Sequence, residues 1–129
     1  MASAEEIIDW DEAMQQCGED EEFLHELLND FRGELETQLA SIAETIQNPG
    51  EAPYHLIMRA AHVVKGAAAN LMCGQLRTAA MNLEQTSKQV HEAGGTSAPQ
   101  DIQAQVQLRY SELQVAVQNY MELLKTLNI

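Results

Sequence analysis

The sequence predicts an all-α protein, an antiparallel up-and-down four-helix bundle with a short extra helix at the N-terminus. Apolar residues recur every three to four positions through long segments, as they do on one face of an amphipathic helix. No segment alternates between apolar and polar residues as a half-buried strand does. Short connections between long amphipathic helices favour antiparallel packing of neighbouring helices.

The first half of the chain predicts two helices and a turn. Asp9 can cap a short helix over about 10–17, and Asp20 can cap a long one that runs to about Gln47. A three-to-four spacing marks the apolar face of this long helix: Phe23, Leu24, Leu27, Leu28, Phe31, Leu35, Leu39, Ile42 and Ile46. The sequence Asn48-Pro49-Gly50 then predicts a turn.

The second half predicts three more helices. The first two run over about 52–71 and about 74–91. The residues of 94–97, Gly-Gly-Thr-Ser, are typical of a loop. Pro99 suits the first turn of a last helix, because the fixed φ of proline matches a helix start.

Length and charge limit the classes of function. The 129 residues predict one domain, 1–129, which we expect to be a monomer. A formal net charge of −13 argues against nucleic acid and anionic membrane surfaces as partners. No apolar run is long enough to span a membrane, and no signal peptide is evident. We therefore expect a cytoplasmic protein, also nuclear if the source is eukaryotic, with Cys17 and Cys73 as reduced thiols.

The helix predicted over 52–71 has two unlike faces on a 3.6-residue wheel. Two apolar rows predict the side toward the core: Leu56, Ala60, Val63, Ala67 and Leu71, and beside them Ile57, Ala61, Val64 and Ala68. The opposite side carries His55, Met58, Arg59, His62, Lys65, Gly66 and Ala69. This segment is locally basic within an acidic chain, since Glu84 is the one acid between positions 52 and 91.

The outward face suggests a reactive histidine. His62 points outward, Lys65 lies one turn further on, and Gly66 and Ala69 flank the imidazole with small side chains. A glycine in an exposed helix costs about 1 kcal/mol relative to alanine, so stability does not explain it. The small residues would let another protein or a phosphoryl group approach the ring. The alternative is that His62 is an ordinary surface residue.

At these positions the sequence resembles histidine-containing phosphotransfer domains. The residues from His62 to Ala68, HVVKGAA, resemble the motif of that family, and Asn70-Leu71 is similar to what often follows it. The opening Ile-Ile-Asp-Trp-Asp, the helix order and the length also fit, so the resemblance covers nearly the whole chain. Two departures occur: alanines stand at 67–68 where the family commonly has serine, and Met72 stands where it commonly has glycine.

The resemblance implies a phosphorelay intermediate. His62 would accept a phosphoryl group from an aspartate of one receiver domain and pass it to an aspartate of another. Lys65 would stabilise its charge, Gly66 would provide clearance, and Arg77 and Lys88 would add positive potential. Receiver domains of hybrid histidine kinases and response regulators are the implied partners, and they would supply Mg²⁺, so this chain needs no cofactor. The residues expected at the partner interface are Met58, Arg59, Gly66, Ala69 and Lys88.

Other motifs are weaker. Glu22 and His25 match half of a di-iron bundle motif, but no second Glu-x-x-His pair occurs. His55 and His62 lie two turns apart, too far for one zinc ion without further ligands. No phosphate-cradling glycine loop is present, which excludes an independent kinase activity. Two classes remain open: a phosphoryl carrier, whose status as an enzyme stays undecided, and a non-catalytic helical adaptor in which His62 is incidental.

Overall fold

The computed structural model describes residues 2–129, and all regular secondary structure in that range is helical. The elements in chain order are α1 (Ala4–Ile7), α2 (Trp10–Gln16), α3 (Glu21–Gln47), α4 (Pro53–Asn70), α5 (Gly74–Glu92), a 3₁₀ turn (Gly95–Ser97) and α6 (Gln100–Thr126). None of the helices in this part of the chain is long and apolar enough to cross a membrane. The all-α fold class is therefore confirmed.

The helix starts follow local chemistry. Asp9 and Asp20 cap α2 and α3 as predicted, and their carboxylates accept hydrogen bonds from the amides of Glu12 at 3.3 Å and Phe23 at 3.0 Å. Pro53 occupies the first position of α4, where its missing N–H leaves no intrahelical bond unmade. The predicted starts of the four long helices, and the predicted ends of the first three, agree with the structure to within a residue or two.

Two short elements differ from the prediction. The N-terminal segment contains α1 in addition to the predicted short helix, because Ser3 Oγ accepts a hydrogen bond from the Glu6 amide at 3.2 Å. The Ser-x-x-Glu spacing is a helix-start signature that could have revealed it. The predicted loop after α5 also tightens into a 3₁₀ turn, which Gly94 introduces with a φ of +115°.

The core is built from small and aliphatic side chains shared between the long helices. α4 packs between α3 and α5, and α5 packs in turn against α6. Tyr120 connects α6 to α3: its hydroxyl donates to the Leu28 carbonyl at 2.6 Å and its ring meets Phe31 edge-on. The largest fully buried side chains besides Tyr120 are Leu24, Leu28, Leu35, Ile42, Leu76, Leu83, Leu113 and Leu124.

The predicted core face of α4 is too wide. Leu56 and Val63 are exposed, at 50% and 42% of their surface, although the wheel placed both toward the core. The buried residues of the helix are Pro53, Ile57, Ala60, Ala61, Val64 and Ala68. Alanines let the neighbouring helices approach closely, so a narrow stripe centred on Ala61 and Val64 suffices to fill the interface. Leu56 and Val63 therefore lie on the solvent side, beside His62.

The turn between α4 and α5 shows why glycine would suit the position that Met72 occupies. Met72 has a φ of +59°, in the left-handed region that glycine adopts without steric cost. Its carbonyl accepts a hydrogen bond from the Asp9 amide at 2.9 Å, and its side chain packs against the core. The N-terminal segment is thereby fastened to the end of the helix that carries His62.

Ser87 gives a stability prediction. Its hydroxyl is fully buried in α5, and no hydrogen-bond partner lies within reach in the described residues. Ser87→Ala removes an unsatisfied polar group and improves helix propensity, so the free energy of unfolding should rise by about 1 kcal/mol. Denaturant unfolding measures this. The control is Ser111→Ala, an exposed serine whose hydroxyl bonds to the Gln107 carbonyl. A less stable Ser87→Ala would mean that the hydroxyl does have a partner.

Candidate functional site

His62 stands on the solvent side of α4, near the middle of the helix. Ala61 and Val64 anchor this turn in the core, which directs the His62 side chain outward. Its side chain is 66% exposed. The imidazole is thus held on a rigid helix rather than on a loop, with much of the ring open to solvent.

Glu84 of α5 connects His62 and Lys65. One of its carboxylate oxygens, Oε2, lies 2.6 Å from His62 Nδ1, and the other, Oε1, accepts from Lys65 Nζ at 2.6 Å. Only 18% of the Glu84 side chain is exposed, so these contacts are partly shielded from water. Lys65 is therefore held in an ion pair with Glu84.

The charge of Glu84 fixes the tautomer of His62. Partial burial alone would raise the pKa of Glu84, but hydrogen bonds from Lys65 and His62 outweigh it and the pKa lies below its ordinary value. The carboxylate is therefore ionised at neutral pH and can only accept hydrogen bonds. The proton of the neutral imidazole must then lie on Nδ1, which leaves the lone pair on Nε2, the nitrogen not bonded to Glu84.

The surface beside the ring is open and partly apolar. Gly66 is exposed, and a Cβ placed on it would meet nothing within 4 Å. Leu56 and Val63 expose large apolar side chains on the same side of the helix as His62. Ala69, further along the same face, is half-buried. A flat partner surface could approach this face without a steric obstacle at Gly66.

The predicted partner-binding residues differ in exposure. Arg59 and Lys88 are exposed, and neither forms an ion pair within residues 2–129. Met58 is half-buried in α4. Arg77 is exposed but lines a separate groove near the α4–α5 turn. Arg59 lies three residues before His62 on α4, and Lys88 lies four residues after Glu84 on α5, so these two are cations that no ion pair holds in the described part of the chain.

His25, His55 and His91 each lie close to another aromatic or imidazole ring. His25 packs edge-on against Trp10, and the His55 ring lies 5.4 Å from that of His91. Across residues 2–129, no group of three or more His, Cys, Asp or Glu side chains is placed to hold a metal ion.

Comparison with known proteins gives one match. The family model described as "Hpt domain" matches residues 26–125, well over half of the chain and including α4 and α5 in full. The chain belongs to the Hpt family. Hpt domains carry out phosphotransfer in phosphorelays and interact with receiver domains. Neither a curated protein nor a solved structure matched the chain.

Glu84 is the residue of this Hpt site that the sequence did not reveal. It lies 22 positions after His62 on the next helix, so its role depends on the register between α4 and α5. The one available signal was its isolation as the only acid between positions 52 and 91. An isolated acid among basic residues often forms an ion pair, and here Glu84 contacts both His62 and Lys65.

The lowered pKa of Glu84 predicts how its contacts depend on pH. Its stabilising effect should be fully present above the ordinary glutamate pKa of about 4.3 and lost as the pH falls through the lower folded-state value. The stability difference between the native chain and Glu84→Gln should therefore shrink as the pH falls from about 5 to below about 4. Thermal unfolding across this range measures it, with Glu122→Gln on α6 as the control. A difference that did not shrink as the pH fell below about 4 would contradict the assigned charge state.

Proposed function

We propose that this chain is a phosphorelay intermediate, in which His62 accepts a phosphoryl group from an aspartyl phosphate of one receiver domain and passes it to an aspartate of another. The observation that carries the proposal is the 2.6 Å contact between His62 Nδ1 and Glu84 Oε2 on an exposed ring. This contact leaves Nε2 as the nucleophile. It also argues against an incidental histidine, because an ordinary surface histidine needs no carboxylate to orient it.

The transfer step balances without a further reactant. The Nε2 lone pair attacks phosphorus, the P–O bond of the aspartyl phosphate breaks, and the aspartate leaves as a carboxylate with the bonding electrons. His62 keeps its Nδ1 proton and its ring becomes positively charged. The ionised Glu84 stabilises that charge across the hydrogen bond, much as a buried aspartate stabilises an imidazolium in a catalytic triad. Transfer onward reverses these steps at the second receiver.

Lys65 would act on the phosphoryl group and on Glu84. A phosphoryl group brings about two negative charges and strong acceptor oxygens to the ring. Lys65 lies one helical turn from His62 and is held by Glu84 until such an anion competes for it. We propose that the ammonium group then stabilises the phosphoryl oxygens while it stays close to the carboxylate.

The receiver would dock on the face around His62. The exposed Leu56 and Val63 offer apolar surface to bury, and Arg59 and Lys88 offer positive charge to the acidic pocket expected on a receiver. Gly66 keeps the approach to the ring open, and Met58 and Ala69 lie on or beside this face. The receiver would supply Mg²⁺, and the chain itself would need no cofactor.

We also infer that the four long helices form an antiparallel bundle in one domain. His55 meets His91, and His62 meets Glu84, so the start of α4 lies at the end of α5. Gln75 at the start of α5 contacts Asn119 near the end of α6. These contacts support the up-and-down arrangement. We expect the domain to be a monomer, which sedimentation equilibrium would test.

The direct experiment is incubation with a phosphorylated receiver domain. The purified chain should acquire a label that is stable in base and labile in acid, as expected of phosphohistidine. A second, unphosphorylated receiver should then remove it. A helical adaptor would bind a receiver without acquiring the label, and that outcome would refute the proposal.

Lys65→Ala tests the charge-stabilising role. Alanine is a good helix former, so the helix content should not change. Transfer should slow or the phosphohistidine should decay faster, by roughly tenfold, the effect of losing about 1.4 kcal/mol of charge stabilisation. Lys125→Ala, in the last turn of α6, is the matched control. Unchanged transfer rate and phosphohistidine half-life would remove Lys65 from the mechanism.

A further inference from the structure

A groove separate from the ring of His62 runs along α5 and α6. Its volume is about 970 Å³, and α1, the end of α4, the first half of α5 and the middle of α6 all contribute to it. We propose that this groove binds a basic amphipathic helix of a partner protein. The role goes beyond phosphoryl transfer at His62 and does not depend on it.

The floor of the groove is apolar. Ala79 of α5 and Ala116 of α6 are buried and give it depth, because neither side chain extends past Cβ. Val115 forms part of the lining and is 55% exposed, although valine is among the residues most often buried in proteins. A partner's aliphatic side chains would bury this surface and gain hydrophobic free energy.

Acidic residues stand at both ends of this floor. The Glu6 carbonyl lies 3.4 Å from a Cβ built on Gly74, which places α1 at the start of α5. Asn119 donates to Gln75, and this bond sets the register of α6 along α5. Glu112, seven residues before Asn119, therefore lies beside the far end of the groove at Asn82.

The charge of the lining suits a cationic partner. Its acids are Glu5, Glu6, Asp9 and Glu112, and its one base is Arg77. Glu112 also accepts from Arg109 at 2.9 Å, a surface pair that a second cation can share. Acids arranged this way attract a basic segment and raise its rate of association at low salt.

The spacing of the acidic residues indicates where a bound helix should carry its basic residues. Seven residues of helix rise about 10.5 Å, which is the interval from Gln75 to Asn82. A helix with Lys or Arg at positions i and i+7, and aliphatic residues at i+3 and i+4, presents all four side chains on one face. No two of this chain's own seven Lys and Arg residues are seven positions apart, so a second copy does not offer the pattern.

A synthetic peptide tests the proposal. The probe is a fluorescent amphipathic peptide of about 14 residues with Lys at i and i+7 and Leu at i+3 and i+4, long enough to form a helix on binding. Fluorescence anisotropy with the full chain should show saturable binding that weakens as salt rises. Amide chemical shifts should change along residues 75–82 and 112–116. The same peptide with Glu in place of both Lys should not bind.

Two double variants distinguish the effect of charge in the groove on peptide binding from the effect of the protein's net charge. Glu5→Lys with Glu6→Lys should weaken binding by tenfold or more, because it reverses the charge at one end of the groove. Glu26→Lys with Glu36→Lys changes the net charge equally at exposed positions of α3 that do not line the groove, and should have a much smaller effect. Equal losses in both, absent saturable binding, or shifts centred on residues 56–66 would each overturn the proposal. None of these results would bear on the proposed phosphotransfer function of His62.

Discussion

His62→Gln should abolish phosphoryl acceptance from a phosphorylated receiver. Glutamine is similar in length and its amide can still donate to Glu84, so the fold of α4 should be preserved. It offers no nitrogen lone pair that can attack phosphorus, so the label should fall below detection. Labelled receiver and autoradiography measure the transfer, and circular dichroism checks the fold.

Two other histidines serve as controls for this result. His25→Gln on α3 and His91→Gln at the end of α5 change the same residue type away from the Glu84 contact. Both variants should accept phosphate at close to the native rate. If His62→Gln retained the label, or if either control lost it, the acceptor assignment would be wrong.

Gly66→Gln should make the protein more stable but a poorer phosphotransfer partner. A Cβ on Gly66 meets nothing within 4 Å, and glutamine is the better helix former, so the free energy of unfolding should rise by about 0.5 kcal/mol. Receiver binding and phosphotransfer should nevertheless fall by tenfold or more, because a long side chain would stand where the partner's loops approach the ring. Melting temperature and transfer rate are measured on the same preparation.

The chain contains a matched control for Gly66. Gly33 is also exposed within a long helix, and a Cβ on it likewise meets nothing within 4 Å. Gly33→Gln should give the same gain in stability with a normal transfer rate. A large fall in the melting temperature of Gly66→Gln would indicate that the glycine serves packing. A normal transfer rate in that variant would count against the open-face interpretation.

Local sequence patterns predicted much of this molecule because short-range chemistry fixes helices. Asp9 and Asp20 cap their helices by accepting hydrogen bonds from amides three residues away, so their roles can be recognised from the sequence alone. His62, Lys65 and Gly66 share one face because of helical geometry, which needs no tertiary information. The motif of the family then suggested what that face does.

Features that depend on contacts between helices were not predictable in the same way. Glu84 meets His62 only because α4 and α5 pack in one register, and no local pattern specifies that register. Leu56 and Val63 fit an apolar row on the wheel, but close packing around Ala61 leaves them outside the core. Met72 takes a left-handed conformation because the turn and its bond to Asp9 require it, although the residue type does not favour it.

The protonation of the His62 ring is the most direct test of the mechanism. Long-range ¹H–¹⁵N and ³¹P spectra of the phosphorylated chain can identify which ring nitrogen carries phosphorus and which carries the proton. The contact with Glu84 predicts phosphorus on Nε2 and a proton on Nδ1. Phosphorus on Nδ1, or on any residue other than His62, would contradict it.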